Sequence, residues 1–437
     1  MSRILIAEAK KQEQGEVTVA GFVRNQRGHK GVVFVDLNDI SGTMQVVLAA
    51  DNAAVYAVAE KLTLESVIEV TGTLQAKPAK KNDPNPVKDF ELLAAQVKLI
   101  SLADENLPIP VLTKVDNEAN LDNRLDFRWL DLRRPENQLI FKVWTKLEEG
   151  CRDYFKANNF LQIYTPCFMS TASETGSEVF EVKYFDRKAY LSQSPQFYKQ
   201  MAMAAGFEKV FMVGTVFRAE LSFTTRHVTE FTGWDFEISY LDSHFDLMDK
   251  EEDMLIAGFK KIKEDLGQEL EIEVPVKPFP KITFAAAKHK LQAAGVKSEK
   301  AHDFSTEEEK ELGVIIKKEF NHDFVFVTDY PIEARPFYHM YHEDNPQLTK
   351  SFDLLYRGLE ITTGAQREHR IDILEKQAVA KGMNLEDLHD YLNFFRYGVP
   401  SHGGVGIGPA RIIMKILGLN SVKEACLLPR DVKRLKP

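Results

Sequence analysis

The sequence predicts an α+β protein in which a small all-β domain precedes a larger domain of antiparallel sheet flanked by helices. Short segments that alternate apolar and polar residues recur between residues 16 and 100, at the spacing of a small barrel. Residues 214–241 read as two strands joined by a charged loop, and residues 136–158 repeat apolar side chains at helical spacing. A chain of 437 residues is long enough for two or three such domains.

The first domain, predicted over residues 1–103, contains five alternating segments and a helix-like piece at residues 53–62. The segments read EVTVAGFVRN, GVVFVDLND, TMQVVLA, SVIEVTGTLQA and DFELLAAQVKLI. Five short strands favour a barrel of the OB type, and many such barrels bind single-stranded nucleic acid by stacking bases on aromatic rings. Phe34 and Gln45, on the second and third strands, are candidates for these contacts. Phe34 also lies in an apolar run, so a core position is the alternative.

A linker is predicted over residues 104–135, where Pro, Asp and Asn are frequent, and the larger domain over residues 136–437. This domain begins with the helix at 136–158, and the segment FLQIYTPCFM that follows is predicted to be one strand. Residues 250–266 are helical and charged, which indicates a solvated face.

Composition narrows the class of function. The chain has 56 basic and 65 acidic side chains, a formal net charge of −9, which argues against indiscriminate nucleic-acid binding but leaves room for local basic strips. No apolar run approaches the 18 or so residues that span a membrane, and the N-terminus lacks the features of a signal peptide. Three widely separated cysteines form no metal-binding pair. We therefore expect a cytoplasmic protein with reduced thiols.

The hairpin at residues 214–241 carries the clearest functional pattern. A period of two places Arg218 and Glu220 on one face of the first strand, and the loop adds Arg226 and His227. In the second strand one face carries Phe231, Gly233, Asp235 and Glu237. A solvated face is the ordinary interpretation of such alternation. Guanidinium groups, an imidazole and an aromatic ring gathered together favour a nucleotide site instead.

Three motifs in order now support a family resemblance. The run FRAE at 217–220, the loop TTRH, and the glycine-rich segment SHGGVGIGPAR at 401–411, predicted as a strand that turns at Pro409 into an apolar helix at 412–417, resemble the second and third motifs of class II aminoacyl-tRNA synthetases. The helix at 136–158, the strand and Pro166 resemble the first motif, a homodimer interface in that family, although alone they would indicate only a core helix. The resemblance covers nearly the whole chain and is closest to the aspartyl-tRNA synthetases of the compact archaeal and eukaryotic type.

The resemblance implies that ATP and Mg²⁺ are used to attach L-aspartate to tRNA through an aspartyl-adenylate. Amino-acid activation is an attack of a carboxylate on the α-phosphorus, so positioning and cations replace a protein nucleophile. Arg218 is the catalytic candidate, because its planar fork suits both the α-phosphate and the attacking carboxylate. The other positions implied for ATP are Glu220 and Phe231 on adenine, Arg226 and His227 on the β and γ phosphates, Arg411 over the second face of adenine, and Glu360 and Gly408. Relatives usually have Glu or Asp where this chain has Ala410.

The resemblance also implies ligands for the metal and the amino acid. Magnesium needs hard oxygen ligands, for which the family uses the positions of Glu360 and Thr363, with Asp353 as a third candidate. Acids at a solvated strand end are the alternative. Lys199 and Arg367 match the two cations that hold the aspartate side chain. The other positions implied around the amino acid are Glu174, Gln196, Arg218, Asp235 and Thr363.

Two alternatives remain beside this interpretation. An asparaginyl-tRNA synthetase would commonly keep the arginine and replace the lysine by an aliphatic residue, so Lys199 favours aspartate. A tRNA-binding paralogue that has lost catalysis would show damage at Arg218, Glu360 or Arg411, and all three are present. An asparagine synthetase of the same ancestry would lack the barrel.

The barrel is implied to read the anticodon, with Phe34 stacked on a base, Gln45 bonded to its edge and Glu91 on a neighbouring base. Arg24 stands where relatives that discriminate the third anticodon base often have Trp and relaxed ones often have His. A flexible cation rejects a cytosine-to-uracil change less firmly than a rigid indole, and the loop at 78–89 is rich in Pro and Asn. The sequence therefore favours relaxed recognition, in which the asparagine tRNA is also charged with aspartate.

Overall fold

A computed structural model of the chain describes residues 2–77, 89–111, 119–171, 178–222 and 224–437. They form two compact units, Met1–Asn120 and Leu121–Pro437. The first unit is a closed barrel of five strands, and the second is built on a sheet of eight strands flanked by helices. The predicted α+β class with an N-terminal barrel of the OB type is confirmed.

The barrel closes in the strand order β1-β2-β3-β5-β4. Its strands are β1 Gly15–His29, β2 Val32–Asp39, β3 Gly42–Ala49, β4 Val67–Ala76 and β5 Phe90–Ser101. Alternate aliphatic side chains such as Val35, Leu37 and Val46 point inward and are fully buried. Two helices accompany the strands, α1 Ile6–Gln12 and α2 Ala53–Ala59. The sequence did not predict α1, which is only seven residues long and buries little more than Ile6 and Ala9.

Eleven strands belong to the described part of the second unit. They are β6 Leu161–Gln162, β7 Phe168–Met169, β8 Glu181–Tyr184, β9 Arg187–Leu191, β10 Lys209–Phe217, β11 Glu230–Ser239, β12 Lys281–Thr283, β13 Phe324–Thr328, β14 Ser351–Tyr356, β15 Glu360–Arg367 and β16 His402–Ile407. The main sheet has the order β12-β13-β14-β15-β16-β11-β10-β6, and β7, β9 and β8 form a small second sheet. The six central strands of the main sheet are antiparallel as predicted, and a parallel pair adds one strand at each edge.

Helices pack on both faces of the main sheet: one face carries the largest apolar core, and other helices cover parts of the opposite face, on which the site lies. The helices of this unit are α3 Leu121–Asp126, α4 Arg128–Asp131, α5 Pro135–Ala157, α6 Gln196–Ala204, α7 His244–Leu266, α8 Phe284–Ala293, α9 Thr306–Phe320, α10 Ile371–Ala380, α11 His389–Phe395 and α12 Pro409–Leu417. Apolar side chains of α5, α7 and α12 form one core with Trp234, Phe236 and Ile238 of β11. The even-numbered face of β11 therefore packs in the apolar core, and its odd-numbered face carries Asp235 and Glu237, which are also buried.

Three segments differ from the sequence prediction. Helix α7 is not merely a solvated face, because Leu255, Phe259 and Ile262 on one side of it are buried in the core. The segment FLQIYTPCFM is not one strand, since β6 pairs with β10 and β7 with β9, on either side of Pro166. Residues 121–131, within the span predicted as linker, are helical and belong to the second unit.

None of the helices in the described part of the chain combines the length and apolar character needed to cross a membrane.

Candidate active site

A cavity of about 260 Å³ lies on the odd-numbered face of β11. Its walls come from the β10–β11 hairpin, α6, β15, β16 and the start of α12. The predicted positions that line it are Gln196, Lys199, Arg218, Glu220, Arg226, His227, Phe231, Asp235, Glu360, Thr363, Arg367, Gly408 and Arg411. These positions come from four separate stretches of sequence, which therefore meet at one place. Glu174 lies outside the described residues.

The register of three strands gives the cavity two ends. Strand β16 lies between β11 and β15 and is antiparallel to both, so β11 and β15 run in the same direction. Pairing aligns Trp234, Ile407 and Thr362 across the three strands, and Ser239, His402 and Arg367 five residues further on. Phe231 and Glu360 consequently lie toward one end, and Glu237 and Arg367 toward the other, roughly 20 Å away at 3.3 Å per residue.

Two buried cations occupy the end at Glu237. Lys199 Nζ lies 2.6 Å from Asp235 Oδ2 and 3.3 Å from Glu237 Oε2. Arg367 donates from Nε to Glu237 Oε1 at 3.0 Å and from Nη2 to the Gly404 carbonyl at 3.0 Å. The side chains of Lys199 and Arg367 are 1% and 3% exposed. The two cations that the sequence paired are thus bonded to one shared carboxylate.

The ionisation of this group follows from burial and from the two cations. Burial alone raises the pKa of the Glu237 carboxyl, but the charges of Arg367 and Lys199 outweigh it and lower the pKa below its usual value. Burial raises the pKa of Asp235, and Lys199 offsets only part of that effect. His339 Nε2 accepts from Arg367 Nη1 at 3.0 Å. Burial and the Arg367 charge put the pKa of His339 well below 6.5, so its ring stays neutral.

Small residues on β16 make room for the charged group. A Cβ atom on Gly404 would lie 2.0 Å from Glu237 Oε2 and 2.2 Å from the Phe236 carbonyl oxygen. Any larger residue at that position would displace the carboxylate that joins the two cations. The glycine-rich run of the third motif therefore has a local structural cause at this end of the cavity.

At the opposite end, Arg218 follows β10 directly and its amide donates to the Thr229 carbonyl at 2.9 Å, so the hairpin pairing continues past the strand. Arg218 Nη1 lies 3.7 Å from Glu220 Oε1, and the guanidinium lies 5.6 Å from the Phe231 ring centroid. With 44% of its side chain exposed, Arg218 is accessible from the cavity. A cation, a carboxylate and an aromatic face are thus adjacent, although Arg218 and Glu220 follow β10 and do not lie within the strand as predicted.

Two further arginines and a histidine complete this end. Arg411 Nη1 donates to the Glu360 carbonyl at 2.9 Å and lies 3.3 Å from Glu360 Oε1. Arg226 Nη1 donates to Glu309 Oε1 at 2.6 Å. The Nδ1 atom of His227 is within hydrogen-bond distance of the Ser222 and Thr224 hydroxyls. Burial and the nearby Arg411 charge lower the pKa of His227.

The three oxygen groups predicted to bind magnesium differ in their exposure to the cavity. Glu360 and Thr363 line the cavity, and the Glu360 carboxylate is 36% exposed. Asp353 is paired with Thr363 across β14 and β15, but its side chain is 6% exposed and Oδ2 lies 2.7 Å from Arg335 Nη2. The Asp353 carboxylate is therefore bonded to a buried arginine and is also hydrogen-bonded to the Thr363 side chain, so it lies next to another candidate, and its role as a third ligand stays a prediction. Among the described residues no cluster of three acidic, His or Cys side chains could hold a metal by itself.

On the barrel, the predicted anticodon residues lie on neighbouring strands. Gln45 Nε2 donates to Glu91 Oε2 at 2.6 Å, and Gln75 Nε2 donates to Glu91 Oε1 at 2.9 Å. Arg27 Nη2 donates to the Gln45 side chain at 3.1 Å and pairs in register with Phe34. Phe34 is half-buried and is absent from the described core of the barrel. Its position on the outer surface favours a contact role over the core alternative.

Arg24 has a different environment from the one the sequence suggested. Its Nη1 lies 2.6 Å from both carboxylate oxygens of Glu65, and Nη2 donates to Asn38 Oδ1 at 3.2 Å. The Arg24 side chain is 4% exposed. The guanidinium is therefore buried and satisfied within the barrel. Most of the loop at 78–89 lies outside the described residues.

Sequence reasoning missed several residues that the fold brings to these sites. Glu237 was placed on the correct face but given no role, although its spacing of two from Asp235 was a usable signal. His339 and Glu309 come from segments far from the three motifs. On the barrel, Arg27 and Gln75 were missed. Only tertiary contacts identify these four residues, which are His339, Glu309, Arg27 and Gln75.

Two family models match the chain. The model described as tRNA synthetases class II (D, K and N) matches residues 120–432. The model described as OB-fold nucleic acid binding domain matches residues 17–100. The two matches fall on the second and first structural units respectively.

Individual proteins are similar over nearly the full length. The aspartate--tRNA(Asp/Asn) ligase of Methanopyrus kandleri is 42% identical, covering 97% of this chain and 96% of the relative. The aspartate--tRNA(Asp) ligase of Pyrococcus abyssi is 39% identical over the same shares. Among solved structures, the asparaginyl-tRNA synthetase of Pyrococcus horikoshii complexed with asparaginyl-adenylate superposes with a TM-score of 0.91 at 30% identity, covering both chains completely. The aspartyl tRNA synthetase of Entamoeba histolytica gives a TM-score of 0.87 at 31% identity, covering 100% of this chain and 93% of that one.

Proposed function

The chain belongs to the class II tRNA synthetases of the D, K and N group, and we propose that it attaches L-aspartate to tRNA through an aspartyl-adenylate. The family assignment implies the use of ATP. The observation that carries aspartate as the amino acid is the pair of buried cations, Lys199 and Arg367, at one end of the cavity. Both lie where a substrate carboxylate would gain two charged partners in a site largely closed to water.

Binding of the amino acid uses the group around Glu237. Glu237 fixes the two cations, so the β-carboxylate meets a preorganised pair of donors. Asp235, which contacts Lys199, is the carboxylate that receives the α-ammonium group. Gln196 Nε2 is buried and has no hydrogen-bond partner among the described residues, which leaves it for the substrate.

Activation takes place at Arg218. The aspartate α-carboxylate attacks the α-phosphorus of ATP, the α–β bridging bond breaks, and pyrophosphate leaves with the electron pair. Arg218 stabilises the charge that accumulates on the α-phosphate, while Phe231 stacks on adenine and Glu220 accepts from its amino group. Arg226, His227 and Arg411 hold the β and γ phosphates and the outer face of adenine.

Magnesium fits the open oxygen groups of the nucleotide end. The ion keeps several waters and is usually bound through one or two carboxylates together with substrate phosphates, so a full protein cage is not required. Glu360 and the Thr363 hydroxyl would hold it from the cavity wall. When bound, it neutralises phosphate charge.

The acceptor is tRNA, and we assign its anticodon to the barrel, with Phe34 stacking and Gln45 and Glu91 reading base edges. Relatives named for both the aspartate and the asparagine tRNA are among the most similar proteins. Arg24, which is bonded to Glu65, is held away from base contacts. These observations favour relaxed recognition of the third anticodon base.

Assembly as a homodimer in the cytoplasm completes the proposal. Leu161, Tyr164 and Phe168 are 53%, 81% and 54% exposed around β6, the last strand of the main sheet. Such an apolar edge favours burial against a second copy. Light scattering on the purified chain would test this, with a mass near twice 49.8 kDa expected.

The amino acid is tested by ATP–pyrophosphate exchange with aspartate or asparagine as the only amino acid. We expect exchange with aspartate alone. Exchange with asparagine alone would instead favour the asparaginyl alternative, which the structural likeness to an asparaginyl enzyme keeps open. Absence of exchange with either, in protein that still binds ATP and tRNA, would indicate the non-catalytic alternative.

A further inference from the structure

Glu309 is a buried carboxylate outside the sequence motifs, and it is bonded to two groups of the nucleotide end. Its Oε1 accepts from Arg226 Nη1 at 2.6 Å, and its Oε2 accepts the Glu360 amide proton at 3.0 Å. The Glu309 and Arg226 side chains are 5% and 15% exposed. One carboxylate therefore joins the loop of the β10–β11 hairpin to the first residue of β15.

The fold fixes the position of Glu309. It lies in the first turn of α9, whose start is capped by reciprocal hydrogen bonds between Ser305 and Glu308. A Cβ atom on Gly358 would lie 2.8 Å from Lys310 Cα and 2.9 Å from the Glu309 carbonyl oxygen. The turn before β15 thus packs directly on the backbone of α9. Glu309 is held next to Glu360 by main-chain contact as well as by its own side chain.

Stability alone is a poor explanation for this ion pair. Burying two charges costs desolvation, and apolar side chains of similar volume often stabilise a protein as well or better. A carboxylate beside a site for polyphosphate also repels the ligand unless it orients a cation. Arg226 lines the cavity, and its Nε is buried with no hydrogen-bond partner among the described residues. Glu309 occupies one side of the guanidinium and leaves other donors for a ligand.

We propose that Glu309 is a positioning residue for ATP, which holds the Arg226 guanidinium ready for the terminal phosphates. The inference rests on the proposed function, since it takes the cavity to bind ATP. An arginine side chain loses rotamer freedom when it is fixed in one position. Because Glu309 orders the Arg226 side chain before ATP binds, this entropy is not lost during binding, and the loop presents a guanidinium group that is already in position.

The test is the ATP dissociation constant of four proteins, measured by calorimetry without amino acid: the parent, Glu309→Gln, Arg226→Ala and the double variant. We expect Glu309→Gln to weaken ATP binding about tenfold in the parent, the lower range for a hydrogen bond to a charged group. In the Arg226→Ala background the same change should alter affinity less than twofold, because the group through which it acts is gone. The KM for aspartate should stay within twofold.

Glu307→Gln is the matched control, since Glu307 is exposed on the same turn of α9. Its ATP affinity should equal that of the parent. Equal losses from Glu309→Gln in both backgrounds would overturn the proposal, because Glu309 would then act through Glu360 or through the fold. Unchanged or tighter ATP binding in Glu309→Gln would also overturn it.

Glu309→Asp provides a second variant should the glutamine variant unfold. It keeps the charge but withdraws the carboxylate from Arg226 by one methylene, so ATP binding should weaken in the parent and not in the Arg226→Ala background. Parental affinity in folded Glu309→Asp would contradict the proposal. Aspartate-dependent pyrophosphate exchange by the unsubstituted chain tests the proposed function separately, whatever these variants do.

Discussion

At the scale of single residues, the amino-acid end of the cavity is governed by charge balance. Lys199 and Arg367 face Asp235 and Glu237 within one bonded group, so the four side chains are formally neutral. Bound aspartate would place its β-carboxylate on the two cations and its α-ammonium group on Asp235. One negative and one positive charge are added, so the balance is preserved. Asparagine would leave Lys199 without its anionic partner from the substrate.

Replacing Lys199 by Leu should lower aspartate activation severely and leave ATP binding nearly unchanged. The β-carboxylate would lose one buried charged partner, a loss of about 2 to 5 kcal/mol for a desolvated pair. Aspartate-dependent pyrophosphate exchange measures the first effect and calorimetry with ATP the second. The exposed Lys250→Leu is the control. Parental exchange in the Lys199 variant would remove Lys199 from the aspartate site.

Glu251, on α7 behind the site, predicts a pH-dependent stability. Burial raises its pKa to about 8, and the Thr362 hydroxyl donates to Oε1 at 2.6 Å. Between the ordinary value near 4.5 and 8, the folded state holds a proton that the unfolded state has released. Stability is therefore lost as the pH rises through that window, by at most about 1.4 kcal/mol per unit.

Glu251→Gln removes the titration and should keep the Thr362 hydrogen bond. We expect its Tm to equal that of the parent near pH 5 and to exceed it increasingly up to pH 8.5. Thermal unfolding at both pH values measures this, with Glu264→Gln, exposed on the same helix, as the control. The same Tm difference at both pH values would show that Glu251 does not titrate in this window.

Individual site residues were predictable where the two-residue period of a strand, or a sequence motif, indicated the face of the sheet on which they lie. Arg218, Phe231 and Asp235 line the cavity as the alternation requires. The partners Glu309 and Glu65 were not predictable, because each comes from a distant segment and no local pattern records the pairing. Arg24 is an example. The sequence suggested that its side chain contacts a tRNA base, but in the structure its guanidinium is bonded to Glu65 within the barrel.

At the scale of elements, the main sheet depends on the packing of α5 against α7. The two helices approach so closely at Gly150 that a Cβ atom there would lie 2.6 Å from the Ala257 carbonyl oxygen and 2.8 Å from Gly258 Cα. Charge along α7 concealed this contact in the sequence. Charged residues on one side of α7 alternate along the sequence with apolar residues that are buried on the other side. The charge content alone therefore predicted, wrongly, a helix that only faces solvent.

Gly150→Ala should destabilise the protein despite the better helix propensity of alanine. The propensity gain is about 1 kcal/mol, whereas overpacking against backbone costs about 1 to 3 kcal/mol. Denaturant unfolding should show a net loss. Gly28→Ala is the matched control, because an added Cβ there meets no atom within 4 Å. A stabilised Gly150 variant would mean that α7 shifts freely.

At the scale of the whole molecule, the candidate active site and the predicted anticodon residues belong to different structural units. The cavity lies in Leu121–Pro437 and the predicted anticodon residues in Met1–Asn120. Both folds were predictable, since each is built from repeated short-range patterns. The boundary between the two units was harder to predict, because residues 123–135 were assigned to a hinge by their resemblance to the family, whereas Arg128 is fully buried.

Phe34→Ala should therefore separate the two activities. The loss of one stacked base should weaken tRNA charging by roughly 1 to 3 kcal/mol. Adenylate formation, which needs no tRNA, should be unchanged. Charging assays and pyrophosphate exchange on the same preparation measure both. Equal losses in the two assays would mean that Phe34 supports the fold of the barrel rather than a base.

The last prediction concerns which tRNAs are charged. Anticodons for aspartate and asparagine differ only at the third base. We expect Phe34 and Gln45 to contact the central uracil, which both anticodons share, so these two residues do not distinguish the two tRNAs. Arg24 is closed to that base by Glu65 and Asn38, and breaking such a buried pair would cost about 3 to 5 kcal/mol. We expect catalytic efficiencies within tenfold on two transcripts that differ only at this base. A hundredfold preference for the aspartate anticodon, about 2.7 kcal/mol, would contradict relaxed recognition. If Arg24→Ala kept that preference, the discriminating contact would have to come from elsewhere in the chain.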